Sequence, residues 1–333
     1  MPDEVPKRIL SIQSAVVSGY AGNRASTFPL QLLGYDVSAL NTVHFSNHTG
    51  YGSFRGFRLT AEQILEQYEG LEENGLSCRH GYLLTGYVPG EEGVMAVGQI
   101  AERLRNERKR MGEGLMWVCD PVMGDQGRLY VSQGCVEAYK DIIRSADVIT
   151  PNQFEAETLT GLTITSLPTL RTAMTALHEA YGVKHVVITS IQLPSHPDSL
   201  ICAGSTQTPG KHMHAQFWYQ VPKQPGFYSG TGDVFAALLL AHLDAGSLAE
   251  GGALQIVVRK VLSTLSSILS RTRKGMEEEL QTSSTDLDRN EKEEKVRVIR
   301  AAELRLVQSQ EAILRPPESG WLEPRVDWPE EMN

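Results

Sequence analysis

Long apolar runs, paired cysteines and a surplus of basic charge are all missing from this 333-residue chain, and each absence narrows its function. The longest unbroken apolar stretch, residues 234–241, falls far short of the roughly 20 residues that cross a bilayer, so no membrane role is expected. Four cysteines, Cys78, Cys119, Cys135 and Cys202, are widely spaced and form no C-x-x-C pair. A disulfide framework or a zinc site is therefore not expected, and a reducing compartment is the simpler reading. Met1-Pro2-Asp3-Glu4 lacks the basic and apolar regions of a signal peptide. A cytoplasmic location follows as the expectation, with nuclear presence left open, and the sequon Asn47-His48-Thr49 becomes an accidental match. Lysine and arginine number 31 against 40 acidic residues, a net charge of −9. That balance argues against a nucleic-acid partner but not against an anionic substrate, which needs only local positive potential. No G-x-x-x-x-G-K-[ST] sequence occurs, so a P-loop kinase is not expected, and the absence of G-x-G-x-x-G weakens a dinucleotide-binding reading.

What is present is a rhythm. Hydrophobic residues make up 41% of the chain, enough to bury a full-sized core. Apolar runs at 8–14, 82–85, 115–119, 147–150 and 185–189 read as buried strands. Helical patterns at 23–33, 92–109, 154–160 and 168–181 separate them. The alternation predicts an α/β fold with a mostly parallel sheet and helices on both faces. Residues 199–203 and 212–219 read as a late antiparallel pair, 234–243 as a buried helix, 248–269 as a long helix and 296–314 as another. Between the last two, about residues 272–295 are charged and poor in apolar residues, and read as a solvated insertion that need not be ordered. No internal repeat or linker is visible, so residues 1–315 are expected to form a single domain, followed by a tail at 316–333.

Ligands bind beyond the carboxyl ends of strands in such sheets, and one segment there carries recognisable chemistry. Gly230-Thr231-Gly232-Asp233 runs directly into the apolar helix. Glycines let the backbone turn tightly, and the unpartnered N–H groups of a helix start make an anion hole. Asp233 at its lip is placed to take a proton from an attacking hydroxyl. Read alone, the run is more readily a turn followed by an N-capping aspartate, and the buried helix behind it shifts the balance toward a site. Asn152 and Glu155 fit a capping box as readily as a site, and Asp120-Pro121 fits a strand-end turn. His44 with His48, or His212 with His214, could be metal ligands, but for the second pair no carboxylate or cysteine partner stands near, and the structural reading is favoured. Cys119 reads as a small buried hydrophobe.

Taken in order, the motifs resemble those of the pyridoxal kinases of the ribokinase-like superfamily. The resemblance runs through Leu10-Ser11-Ile12-Gln13-Ser14, Gly22-Asn23-Arg24-Ala25, Phe45-Ser46-Asn47-His48-Thr49-Gly50-Tyr51 and Leu84-Thr85-Gly86-Tyr87. It continues in Cys119-Asp120-Pro121-Val122-Met123-Gly124-Asp125, Thr150-Pro151-Asn152-Gln153-Phe154-Glu155, Val186-Val187-Ile188-Thr189-Ser190 and Glu303-Leu304-Arg305-Leu306-Val307-Gln308-Ser309. It implies a three-layer α/β/α fold, a homodimer, and ATP-dependent phosphorylation of the hydroxymethyl group of pyridoxal, pyridoxine or pyridoxamine. Magnesium and a monovalent cation, potassium, are the implied ions. By position, Ser14, Thr49 and Tyr87 would bind the vitamer, and Asp233 would be the base. Asp120, Asp125 and Glu155 would hold the metal, a water-rich magnesium site suiting hard carboxylates. Asp120, Thr150, Asn152, Glu155, Thr189, Ser190, Gly230, Thr231 and Gly232 would bind ATP and the transferred group. Ala21 stands where the family often packs a larger apolar side chain, and residues 126–130 form a short loop after Asp125. Two other readings remain at this level: the same fold with a hydroxymethylpyrimidine or sugar acceptor, and a catalytically dead relative that only binds pyridoxal.

Overall fold

The computed structural model describes residues 7–207, 215–243, 253–282, 290–320 and 322–329. In chain order the strands are β1 (Lys7–Val16), β2 (Tyr35–Phe45), β3 (Gly56–Arg58), β4 (Tyr82–Thr85), β5 (Met116–Cys119), β6 (Gly124–Asp125), β7 (Arg128–Leu129), β8 (Val148–Ile149), β9 (His185–Ile191), β10 (Ser199–Thr206) and β11 (Ala215–Pro222). Nine of them form one sheet in the order β11-β10-β9-β8-β5-β4-β1-β2-β3, while β6 and β7 pair as a separate hairpin. The neighbours from β9 through β2 all pair in parallel. Within this sheet, among the described residues, antiparallel pairing appears where β3, β10 and β11 extend it. The sheet is mostly parallel, as the alternating pattern predicts.

Successive residues of a strand point to opposite faces, and here both faces are apolar. Leu10, Leu83, Trp117, Ile149, Val186 and Ala203 enter one core, and their neighbours Ile9, Leu84, Val118, Val148, Val187 and Cys202 enter the other. The first core is covered by α2 (Ala61–Glu73), α3 (Glu91–Arg110), α4 (Gln133–Ile142), α5 (Gln153–Thr160) and α6 (Leu167–Tyr181). The second lies under α1 (Asn23–Leu32), α7 (Thr231–His242), α8 (Ala253–Thr282) and α10 (Gln310–Leu314). The result is a three-layer α/β/α arrangement. Helix α7 is the most deeply enclosed: residues 234–240 are all buried, so its apolar character on every side follows from sheet below and helices around it.

The C-terminal third departs from expectation. The stretch read as a solvated insertion, 272–295, is helical through Thr282 as the end of α8, and helical again from Glu291 in α9 (Glu291–Ala301); residues 283–289 lie outside the described set. Its charges are matched within the fold, where Glu279 pairs with Arg300 at 3.4 Å and Arg305 at 3.1 Å. The pattern at 296–314 is broken into α9, a 3-10 turn at Val307–Ser309, and α10. Described tail residues fold back: Arg325 and Trp218 of β11 exchange two backbone hydrogen bonds of 2.9 Å, the Arg325 guanidinium sits 4.6 Å from the Trp218 ring, and Leu322 is buried. Trp328 packs on the first core. Helix α8 is long and apolar enough to span a membrane by length and composition, but its apolar stripe, including Leu254, Val258, Val261 and Ile268, is buried against the sheet.

Candidate active site

Strand order reverses beside β1, whose sequence neighbour β2 lies on one side and β4 on the other. The carboxyl ends of the strands open there, as expected for a topological switch point. A cleft of about 1040 Å³ crosses them from the β2–β3 edge to β10 and β11, and all fourteen residues singled out in the sequence line it.

At the β2 end the cleft is apolar. Val16, Val43 and Phe45 form a small buried cluster against which Ala21 and Tyr87 pack. Ser14 faces this pocket from the end of β1, where the pairing with β2 shifts register between Gln13 and Ala15. An irregularity of that kind re-aims a strand side chain. Thr49 opens a 3-10 turn (Thr49–Tyr51) capped by His48. Tyr87 is held from behind by a hydrogen bond from Thr42 Oγ1 to its carbonyl, 2.8 Å.

The glycine run sits in the middle. Gly230 is the N-cap of α7 with φ 81°, and a Cβ there would stand 2.3 Å from the Tyr20 carbonyl oxygen, so the position requires glycine. Asp233 lies in the first turn of α7 but caps nothing in its own helix. Its Oδ2 accepts instead from the Gly22 N–H at 2.7 Å, and Ser26 Oγ donates to its carbonyl at 3.1 Å. Burial raises the Asp233 carboxyl above its ordinary range, with the Gly22 N–H pulling the other way.

Beyond it the cleft turns acidic. Asp120 Oδ1 accepts from Thr150 Oγ1 at 3.1 Å, and its Oδ2 lies 3.7 Å from where a Cβ would sit on Gly232. Burial, then the charges of Glu155 and Asp233, push Asp120 well above the usual carboxylate range. Asn152 and Glu155 do form a capping box on α5. Glu155 is committed further, accepting from Met123 N–H at 2.9 Å and Gly124 N–H at 3.4 Å on Oε1 and from Asn152 N–H at 2.9 Å on Oε2. Burial raises it to about 7 against those donors. Asp125 is exposed at the end of β6. Among the described residues no three acidic, histidine or cysteine side chains converge as a ready-made metal cage. Thr189 and Ser190 lie in β9 at the far side, Thr189 half-buried and Ser190 exposed.

Sequence reading missed part of this lining. Leu262, Leu265 and Leu269 of α8, with Leu200 and Val221, make an apolar wall near β9. The α8 positions recur at helical spacing, a signal present in the sequence. Arg58, Lys223, Phe227 and Tyr228 also line the cleft and come from edge and loop segments with no such signal. Cys119 is buried and its thiol is pushed up to about 12, as fits a small hydrophobe. His48 lines the cleft, while His212 and His214 lie outside the described residues.

A family model described as phosphomethylpyrimidine kinase matches residues 92–259. That span holds Asp120, Glu155 and Asp233 but not Ser14, Thr49 or Tyr87. Among full-length relatives, a pyridoxal kinase of Arabidopsis thaliana is 40% identical over 93% of this chain and 92% of its own. The Homo sapiens pyridoxal kinase is 41% identical over 80% of this chain and 85% of its own. A solved structure described as Leishmania donovani pyridoxal kinase in complex with ADP and pyridoxamine superposes with a TM-score of 0.82, covering 96% of this chain and 99% of that one at 34% identity. These matches extend well beyond the span of the family model, and the chain belongs to the pyridoxal kinase family.

Proposed function

We infer that this chain transfers the terminal phosphoryl group of ATP to the hydroxymethyl group of pyridoxal, pyridoxine or pyridoxamine, giving the 5′-phosphate and ADP. The observation that carries the reading is the position of Asp233. It stands at the start of a buried helix, between an apolar ring-sized pocket and an acidic cleft lined on its far side by a second apolar wall. In that frame Ser14, Thr49 and Tyr87 orient the vitamer. Asp233 accepts the hydroxyl proton as oxygen attacks the terminal phosphorus, the bond from phosphorus to the ADP oxygen breaks, and ADP leaves. The N–H groups opening α7 meet the charge on the transferred group. Thr150, Asn152, Thr189 and Ser190 border the nucleotide.

Buried Asp120 and Glu155, each held above the ordinary carboxylate range, make an acidic recess that fits a divalent cation. Magnesium keeps several waters and needs only one or two carboxylates besides phosphate oxygens, so separated carboxylates suit it better than a closed cage would. Asp120, with Glu155 and the exposed Asp125 through water, would hold it, and the ion would neutralise phosphate charge. Potassium dependence and a homodimer rest on the family resemblance, and a cytoplasmic location on the widely spaced cysteines. They are checked by omitting the ion, by sedimentation and by imaging a tagged chain.

A substrate panel with ATP tests the reading. Pyridoxal is expected to turn over faster than hydroxymethylpyrimidine or ribose. Faster turnover of either competitor rejects the assigned acceptor, the pyrimidine having its own support in the family model that spans Asp233. Tight pyridoxal binding with no product would indicate a binding protein instead.

A further inference from the structure

One carboxylate outside the proposed chemistry gathers the acceptor side of the cleft. Glu303 follows α9 and is placed more than 250 residues along the chain from the groups it touches. Its Oε2 accepts from the Tyr20 N–H at 3.0 Å, and its Oε1 accepts from the Tyr51 hydroxyl at 3.0 Å. His48 Nε2 lies 3.4 Å from the same Oε1. His48 Nδ1 accepts from the Gly50 N–H at 3.2 Å, so in the neutral ring the proton sits on Nε2 and points to Glu303. Both side chains are nearly enclosed, at 10% exposure for His48 and 12% for Glu303. Gly19, with φ 88°, lets the carboxylate close in, since a Cβ there would stand 2.3 Å from Oε1. Burial, then the charge of Glu303, push the Tyr51 phenol above its ordinary range.

These contacts meet at two places the reaction needs. Tyr20 is two residues before Gly22, whose N–H holds Asp233, and His48 and Tyr51 flank Thr49. We propose that Glu303 is a positioning residue that fixes His48 and the Thr49 turn, and ties them to the loop supporting Asp233. The proposal rests on the assignment of this end of the cleft to the vitamer. It makes Glu303 an acceptor-side residue, with no part in nucleotide binding.

The test uses the full chain with Glu303→Ala and the volume-conserving Glu303→Gln, each alone and with His48→Ala. Loss of an orienting partner behind a site typically costs roughly 10–100-fold. KM for pyridoxal is expected to rise by about that factor in Glu303→Ala while KM for ATP stays within about twofold, and adding His48→Ala should raise it little further. Amide hydrogen exchange on the same proteins without substrate should quicken at 20–22 and 48–51, a readout independent of which acceptor the wild type uses. A parallel rise in both KM values, independent effects of the two substitutions, or unchanged exchange in those segments would overturn the proposal. Failure of the wild type to phosphorylate pyridoxal would instead strike the functional reading, leaving the exchange result to decide the role of Glu303.

Discussion

Gly22 shows how narrowly single residues constrain this site. Its φ is 55°, a Cβ would stand 1.9 Å from the Ser14 carbonyl oxygen, and its N–H carries the 2.7 Å bond to Asp233. Gly22→Ala must therefore move backbone that bears both Ser14 and the partner of Asp233. A residue forced into such a region costs on the order of 1–3 kcal/mol. We expect Gly22→Ala to lower both melting temperature and kcat, and wild-type kcat in a folded variant would contradict the geometry. Glu155 sets a pH dependence. Its carboxyl is raised from 4.5 to about 7 in the folded chain, so between those values the folded state holds a proton that the unfolded state has released. That contribution to stability is fully present below about 4.5 and is lost as pH rises through about 7, a fall on the order of 1–3 kcal/mol. Melting temperatures of the metal-free protein should reflect this between pH 5 and 8, and Glu155→Gln should flatten that part of the curve. An equal slope in the variant would remove Glu155 as the cause.

Elements were legible where burial is two-sided and obscure where it is not. Strands β4, β5, β8 and β9 are short apolar runs enclosed by both helical layers, which is why the sequence shows them without alternation. Strand β2 carries Asp36, Ser38, Asn41 and His44 among its apolar residues, next to the edge strand β3, and its mixed pattern gives no comparable signal. Helix α8 continues into charged sequence because Glu279 meets Arg300 and Arg305, residues no local window contains. The tail behaves likewise: its role on β11 depends on Trp218, more than a hundred residues earlier. Deleting residues 322–333 uncovers Trp218 and the edge of β11, and removes buried Leu322. A loss of about 2–4 kcal/mol is expected, with association through the bare edge. Because none of the described tail residues lines the cleft, kcat should hold. Calorimetry with size-exclusion chromatography reads both effects, and an unchanged melting temperature would show the tail contacts to be inconsequential.

For the whole molecule, the fourteen residues marked in the sequence converge on one cleft because the parallel strands bring their carboxyl ends to the same side, where the Thr49 turn and the start of α7 also lie. The regular part of the site was therefore readable from order alone. The unread part, Arg58, the α8 wall and the contacts of Glu303, whose motif was marked without a role, is decided by tertiary packing. Asp233 was readable as a helix-capping residue or as a base, and its Oδ2 accepts from Gly22 N–H rather than from its own helix. The central claim is that Asp233 takes the proton of the vitamer hydroxymethyl group. It is tested most directly by measuring pyridoxal 5′-phosphate formation with ATP and magnesium for wild type and Asp233→Asn, alongside ATP binding to each. Loss of a general base predicts a fall in kcat of roughly 10²–10⁴ with ATP affinity retained, whereas wild-type turnover by Asp233→Asn would contradict the account.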